Sequence, residues 1–336
     1  MPLLQRSEVA TIDAIADAPA VASVNPPGCP PPTDEPALPA PAKTLTAQRW
    51  QMAHATGQHD VAARQLLATT GAARCEDVAE VVAEEVPVAL VYNGISHAVM
   101  LASPDNLEDF ACGFSLSEAI VDAVAEIYDI DVVAHPGGIE LRIDLASAAM
   151  QRLKTTRRMR TGKTGCGLCG IESLAQFDND VHSAICSGAG AGEGADIVQA
   201  TGVLTGAALH RAMAGLSQGQ TLHAATGATH AAGWADWNGA TLLTREDVGR
   251  HNALDKLIGA LARQRIDTAG GIAVVTSRAS FEMVQKAARA GISVLAAVSA
   301  PTAMAVRLAD AAGLTLAGFV RAGRHVVYTH PHRCRN

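Results

Sequence analysis

The chain has 336 residues, a formal net charge of −7 and a hydrophobic fraction of 49%. A chain of this length can bury a substantial core in one large or two smaller domains. It contains no run of about 18 uninterrupted apolar residues, which argues against a membrane helix, and its mild acidity argues against general nucleic-acid binding. Acidic residues interrupt positions 1–21 where a secretory signal needs an apolar stretch, so we expect a cytoplasmic protein.

Residues 1–75 are expected to form a disordered or weakly structured N-terminal extension. Residues 18–43 are dominated by proline, alanine and small polar residues, which bury too little apolar surface to fold. Residues 45–73 are rich in alanine and glutamine and predict partial helix. We assign this extension no function.

Residues 76–150 predict a small α+β domain. Asn93-Gly94 is a strong hairpin signal between two expected strands. Apolar residues at helical spacing follow Ser103-Pro104 and predict a helix. The predicted strands are 86–91, 95–100, 130–133 and 139–143, and the helical positions are Leu107, Phe110, Ala111 and Phe114.

Residues 151–336 predict an α/β domain, in which apolar strands alternate with helices. That alternation is typical of a largely parallel sheet covered on both faces. The predicted strands are 222–225, 230–235, 240–244, 272–276, 292–298 and 314–320. The predicted helices are 202–214, 247–263, 281–290 and one that begins near Pro301.

A glycine-framed cysteine pair, Cys166-Gly167-Leu168-Cys169-Gly170, lies in the α/β region behind a basic run. Positive charge favours the nucleophilic thiolate and attracts anionic ligands. The seven cysteines of the chain are an odd number without a framework spacing, so we expect reduced thiols. The basic run comprises Arg152, Lys154, Arg157, Arg158, Arg160 and Lys163.

Three chemistries fit the cysteine pair. One cysteine could carry a persulfide, or the two could form a redox disulfide. The third chemistry is a zinc site, because His182 and Cys186 complete a Cys-x2-Cys-x12-His-x3-Cys spacing that suits four tetrahedral ligands. Only the persulfide hypothesis uses the upstream basic run, although a charge run by itself is also typical of a solvated surface.

Polar and basic residues follow successive predicted strands. Ligands of open α/β sheets bind beyond the carboxyl ends of the strands, and helix N-termini favour anions. We therefore predict an anion-binding site, called here the strand-end rim. It comprises Arg250, His251, Arg278, Ser280 and the segment Phe319, Val320, Arg321, Ala322, Gly323 and Arg324.

Residues 76–330 resemble the FdhD family, the formate dehydrogenase accessory sulfurtransferases. The resemblance rests on five stretches that occur in the same order. They are Cys166–Gly170, Arg245–Lys256, Ser277–Lys286, Ser299–Thr302 and Gly313–Arg321.

The resemblance implies a three-layer α/β/α sandwich similar to cytidine deaminases, with a smaller N-terminal α+β region, usually as a homodimer. The deaminase zinc signature, His-x-Glu with Pro-Cys-x-x-Cys, is absent from the chain. Deaminase chemistry is therefore not implied.

The resemblance also implies a function. Members of the family accept persulfide sulfur from a cysteine desulfurase and deliver it to the molybdenum of a bis(molybdopterin guanine dinucleotide) cofactor, for the catalytic subunit of formate dehydrogenase. Cys166 is then the persulfide carrier, Cys169 its helper, and residues 319–324 the cofactor-binding segment. The cofactor is bound as a substrate, and no tightly bound metal is expected. Two alternatives stay open, a non-catalytic cofactor chaperone and a zinc-binding structural protein.

Overall fold

The computed structural model describes residues 37–52, 73–158, 202–321 and 323–335. All of them belong to one compact unit that spans Pro36–Asn336. Within these ranges, no helix combines the length and the apolar character that crossing a membrane requires.

The described chain begins with a two-stranded antiparallel ladder. Strand β1 (Ala42–Met52) pairs along its whole length with β2 (Ala73–Ala83). The helix predicted over 45–73 is therefore wrong for 45–52, and the disorder predicted over 18–43 is wrong for its last two residues. The cause is long-range: cross-strand hydrogen bonds override a weak local preference for helix. Ion pairs such as Arg49 with Glu80, at 2.6 Å, reinforce the ladder.

A four-stranded sheet follows, in the order β4-β3-β6-β5. Asn93 and Gly94 have φ angles of 45° and 76°, the backbone of a hairpin turn whose twist matches its strands, and this confirms the predicted turn. The Asn93 side chain also accepts a hydrogen bond from the Leu145 amide at 2.7 Å, which ties the turn to the end of β6. The elements of this region are β3 (Val86–Tyr92), β4 (Ile95–Ala102), α1 (Leu107–Ser117), β5 (Ile127–His135), β6 (Gly138–Leu145) and α2 (Ser147–Arg158).

The larger sheet has six strands in the order β13-β12-β11-β10-β8-β9. The β10–β11 and β11–β12 pairs are parallel, and the other three pairs are antiparallel. The sheet is thus mixed, which corrects the prediction of a largely parallel one, because a hairpin closes it at each end. Its strands are β8 (His230–Ala235), β9 (Thr241–Asp247), β10 (Ile272–Val275), β11 (Val294–Ala297), β12 (Thr315–Arg321) and β13 (Arg324–Val327).

Helices cover both faces of this sheet. Ala273 and Val275 point into a core shared with three helices, whereas Ile272 and Val274 point into a core on the opposite face with a single long helix. The predicted three-layer α/β/α architecture is therefore confirmed. The single helix is α3 (Gly206–Gly219), and the three opposite it are α5 (Arg250–Arg263), α6 (Phe281–Arg289) and α7 (Ala303–Ala311).

Two segments differ from the sequence prediction. Residues predicted as a strand over 222–225 form a short helix, α4 (Thr221–Thr226), and residues 247–249 precede α5 rather than belong to it. The Glu246 carboxylate explains α4, because it accepts hydrogen bonds from the amides of Leu222 and His223 at 2.8 Å each and so caps that helix. Strand β7 (Leu204–Thr205) precedes α3 and pairs in parallel with β14 (Cys334–Arg335) near the carboxyl end of the chain.

Helices α1 and α5 join the two larger sheets by close backbone contact. A Cβ atom on Gly113 would lie 1.7 Å from the Asp255 carbonyl oxygen, and one on Gly259 would lie 1.9 Å from the Asp109 carbonyl oxygen. Only glycine fits at both positions, because a side chain on either would push the helices apart. Helix α2 runs across the boundary predicted between residues 150 and 151.

Candidate functional site

The carboxyl ends of four strands meet at one edge of the six-stranded sheet. Strand β8 is antiparallel to both β9 and β10, and β10, β11 and β12 are mutually parallel. Strands β9, β10, β11 and β12 therefore all point the same way. Of the strand-end rim, Arg250 and His251 follow β9, and Arg278 and Ser280 follow β10. The rest of its described residues form the end of β12 and the turn to Arg324, the first residue of β13.

Main-chain contacts bind the loops at this edge to one another. The Thr302 amide donates to the Ala279 carbonyl at 3.1 Å, and the Phe319 amide donates to the Ser299 carbonyl at 3.2 Å. A parallel bridge also links Ala279 to Pro301. The loops after β10, β11 and β12 therefore form a connected platform.

The end of β12 has an irregular backbone. Phe319 has a φ of 52°, which is uncommon for a residue with a side chain, and the pairing register with β13 shifts between Gly318 and Arg321. The Arg321 guanidinium donates from Nε to the Val298 carbonyl at 3.3 Å. Strained backbone of this kind clusters at ligand sites. Ala322, also predicted to bind the cofactor, lies outside the described residues.

Three buried polar atoms of the strand-end rim make no hydrogen bond within the described chain: Arg250 Nε, His251 Nε2 and Ser280 Oγ. His251 Nε2 does lie 2.8 Å from Glu282 Oε2, but the contact is an ion-pair distance without hydrogen-bond alignment. An unsatisfied buried polar group costs about 1–3 kcal/mol. A ligand that supplies acceptor oxygens would remove this cost for Arg250 Nε and Ser280 Oγ, so these two donors favour an anion.

His230 lies at the same edge of the sheet, and its pKa reflects the charges of the side chains around it. It begins β8 and pairs in register with Asp247. Burial lowers its pKa, and the positive charges of Arg250, His223 and His251 lower it further against an opposing effect of Asp247. Three basic side chains therefore act on His230, and their combined field favours a negatively charged ligand at this edge.

The sequence did not predict that His223 and Glu246 lie close to His230 at this edge of the sheet. Glu246 accepts a third hydrogen bond, from Thr229 Oγ1 at 2.9 Å. His223 Nδ1 lies 2.9 Å from the Thr229 carbonyl. Because a carbonyl only accepts, Nδ1 is the donor in this contact. No sequence signal could place His223 here, since its segment reads as a strand.

Other members of the Arg245–Lys256 stretch stabilise the fold. The Lys256 side chain is fully buried, and its Nζ lies 2.7 Å from Asp247 Oδ2 and 2.8 Å from Asp105 Oδ1. Asp247 also accepts from the Ser103 amide at 3.0 Å and from Asn252 Nδ2 at 3.0 Å. This network connects the end of β9 to the loop after β4.

Cys166 and Cys169 lie outside the described residues, as do His182 and Cys186 of the zinc alternative. Of the basic run, Arg152 lies in α2 and pairs with Glu126 at 2.7 Å, so part of its charge is balanced locally. Within the described ranges, no three histidine, cysteine or acidic side chains converge to hold a metal.

The α/β/α sandwich, with Arg250, His251 and Arg278 at the carboxyl ends of its strands, has the architecture of the α/β proteins whose ligand sites lie at that edge of the sheet. The FdhD/NarQ family model matches residues 83–335. The chain belongs to this family, which confirms the resemblance predicted from the sequence.

The chain is similar to proteins called sulfur carrier protein FdhD. That of Bordetella petrii is 55% identical over 256 residues, which cover 76% of this chain and 86% of the relative. That of Cupriavidus necator is 55% identical over 264 residues, which cover 76% of this chain and 84% of the relative. A crystal structure from Desulfotalea psychrophila, described as a formate dehydrogenase accessory protein, has a TM-score of 0.60 and 21% identity. It covers 87% of this chain and 99% of its own, and supports the fold.

Proposed function

We propose that the chain is a sulfurtransferase that carries persulfide sulfur on Cys166 and delivers it to the molybdenum of a bis(molybdopterin guanine dinucleotide) cofactor for formate dehydrogenase. The single observation that carries the proposal is that two buried donors at the strand-end rim, Arg250 Nε and Ser280 Oγ, make no hydrogen bond within the described chain, which suits a ligand rich in phosphate oxygens. The relatives named sulfur carrier proteins support it at about half identity.

The first step is a thiolate exchange. The Cys166 thiolate attacks the outer sulfur of a desulfurase persulfide, an S–S bond forms on Cys166, and the desulfurase cysteine leaves as a thiolate. In the second step the Cys169 thiolate attacks the inner sulfur of the Cys166 persulfide. A Cys166–Cys169 disulfide forms and sulfide leaves to the metal, so the two thiols supply both electrons. A cellular thiol then reduces the disulfide.

The strand-end rim holds the cofactor in this proposal. Arg250 Nε and Ser280 Oγ donate to phosphate oxygens, and exposed Arg278 adds a second guanidinium in a position to bind them bidentately. The segment 319–324 borders the same edge and contacts the rest of the nucleotide. The proposed partners are a cysteine desulfurase, the catalytic subunit of formate dehydrogenase and a second copy of the chain, all in the cytoplasm.

Binding of guanosine diphosphate tests the proposal that the strand-end rim binds the phosphate groups of the cofactor. Arg278→Ala is expected to weaken its binding by about tenfold or more, because one charge-assisted hydrogen bond is worth about 1.5–3 kcal/mol. Isothermal titration calorimetry measures the change. Arg265→Ala is the matched control, since Arg265 is an exposed arginine between α5 and β10, at the opposite edge of the sheet. Equal affinities for Arg278→Ala and the parent chain would contradict the assignment of the rim.

Sulfane sulfur and bound metal, measured on one purified sample after incubation with a desulfurase and cysteine, test the carrier chemistry. We expect about one sulfane sulfur per chain, lost in Cys166→Ala and retained in Cys169→Ala, because only Cys166 accepts the sulfur. A zinc-binding structural protein would instead contain stoichiometric zinc and unfold with a chelator. A non-catalytic cofactor chaperone would bind the nucleotide and carry no sulfane sulfur.

A further inference from the structure

A pair of histidines lies outside the strand-end rim and has no part in the proposed sulfur transfer. His210 is in α3 and His325 is in β13, and both rings are partly buried. Nδ1 of His325 lies 3.2 Å from Nε2 of His210, with ring centroids 5.1 Å apart and planes inclined at 64°. In the metal-free chain this contact is a hydrogen bond in which one ring donates.

The separation of the two nitrogens also fits a metal ion. Zinc binds histidine nitrogen at about 2.0–2.1 Å with tetrahedral angles, which places two nitrogen ligands of one ion about 3.3 Å apart. Metal binding would require the rings to turn about their Cβ–Cγ bonds until both lone pairs point at a common position. Imidazole nitrogen is a preferred ligand for zinc, copper and nickel rather than magnesium.

The surrounding backbone holds the rings in place. Gly206 begins α3 beside His325, and a Cβ there would come within 3.1 Å of the His325 Cε1 atom. The Thr205 hydroxyl caps the helix by accepting from the Ala208 amide at 3.1 Å. Each ligand thus belongs to a separate, independently hydrogen-bonded element, so the pair is largely preorganised.

We propose that His210 and His325 form a two-histidine site for a zinc-class divalent cation, whose remaining positions are taken by water. Within the described ranges no third histidine, cysteine or acidic residue completes the set, so two protein ligands define the proposed site. A bound ion would cross-link α3 to the strand that begins at Arg324.

Zinc titration of a Cys166→Ala/Cys169→Ala/Cys186→Ala chain without an affinity tag tests this proposal, because that background removes the cysteines of the other candidate zinc site. We expect one zinc per chain at micromolar affinity, competition by nickel and none by magnesium. His210→Gln and His325→Gln are each expected to weaken binding by at least about tenfold, as the loss of one of two protein ligands requires. Zinc should raise the melting temperature of the background chain and leave that of either variant unchanged.

The chain provides a matched control in a second histidine pair. His330 and His332 have ring centroids 5.8 Å apart, yet no short contact joins their nitrogens in the described structure. His332→Ala should therefore leave zinc affinity unchanged. Zinc affinity that survives both His210→Gln and His325→Gln, or that falls equally in His332→Ala, would overturn the proposal.

Discussion

Cells that carry the Cys166→Ala variant are expected to have no more formate dehydrogenase activity than cells that lack the chain. Alanine has no sulfur, so no persulfide can form at position 166, and a buried thiol is a poor substitute. Cys112, for example, is buried, and burial raises its pKa to about 11, which leaves it protonated at neutral pH. Formate-dependent dye reduction in cell extracts measures the loss.

Cys75→Ala is the control for this experiment, because Cys75 is an exposed thiol on β2. We expect full activity from it. The circular dichroism spectrum and melting temperature of purified Cys166→Ala should match those of the parent chain, so that the loss reports chemistry. Full activity in cells with Cys166→Ala, or an equal loss with Cys75→Ala, would contradict the carrier role of Cys166.

Lys256→Met is expected to lower the free energy of unfolding by about 3–5 kcal/mol, the usual cost of leaving one member of a buried ion pair without its partner. Nζ of Lys256 neutralises Asp247, which is itself fully buried, and donates to the Ser103 carbonyl at 3.0 Å. Methionine fills the space and leaves the Asp247 carboxylate uncompensated. Urea unfolding followed by circular dichroism measures the change in midpoint at constant slope.

Lys43→Met is the matched control, since Lys43 pairs with Glu84 at 2.7 Å on the surface and its side chain is 52% exposed. An exposed ion pair contributes about 0–1 kcal/mol, so the control should change stability little. If the two variants lose the same amount, the buried network is not the source of stability that its geometry indicates.

Local sequence patterns predict the elements whose signals are themselves local. The Asn93-Gly94 turn needs two left-handed residues in succession, and the sequence provides the two residue types that adopt them most readily. The strand predicted at 272–276 is apolar from Ile272 to Val275 because both of its faces are covered, and β10 spans those four residues. The sequence also predicts the edge of the sheet at which the rim residues lie, because the carboxyl ends of parallel strands share one edge.

Elements that depend on distant partners are the ones that the sequence does not predict. Strand β1 forms because β2 pairs with it, and α4 forms because the Glu246 carboxylate caps it from 24 positions away. Neither partner is visible in a local window. The same reasoning explains the missed His223, whose place beside His230 depends on α4. The sulfur chemistry of Cys166 and Cys169 stays a prediction, since both residues lie outside the described ranges.

The glycine contact between α1 and α5 also has a consequence for ligand affinity. Helix α5 carries Arg250 and His251 at its first turn, and Gly259 fixes its middle against the backbone of α1. The two basic residues therefore lie on a helix whose position is already fixed by its packing in the folded chain. A ligand that binds them loses little of its interaction free energy to ordering the backbone, because folding has already met that entropic cost.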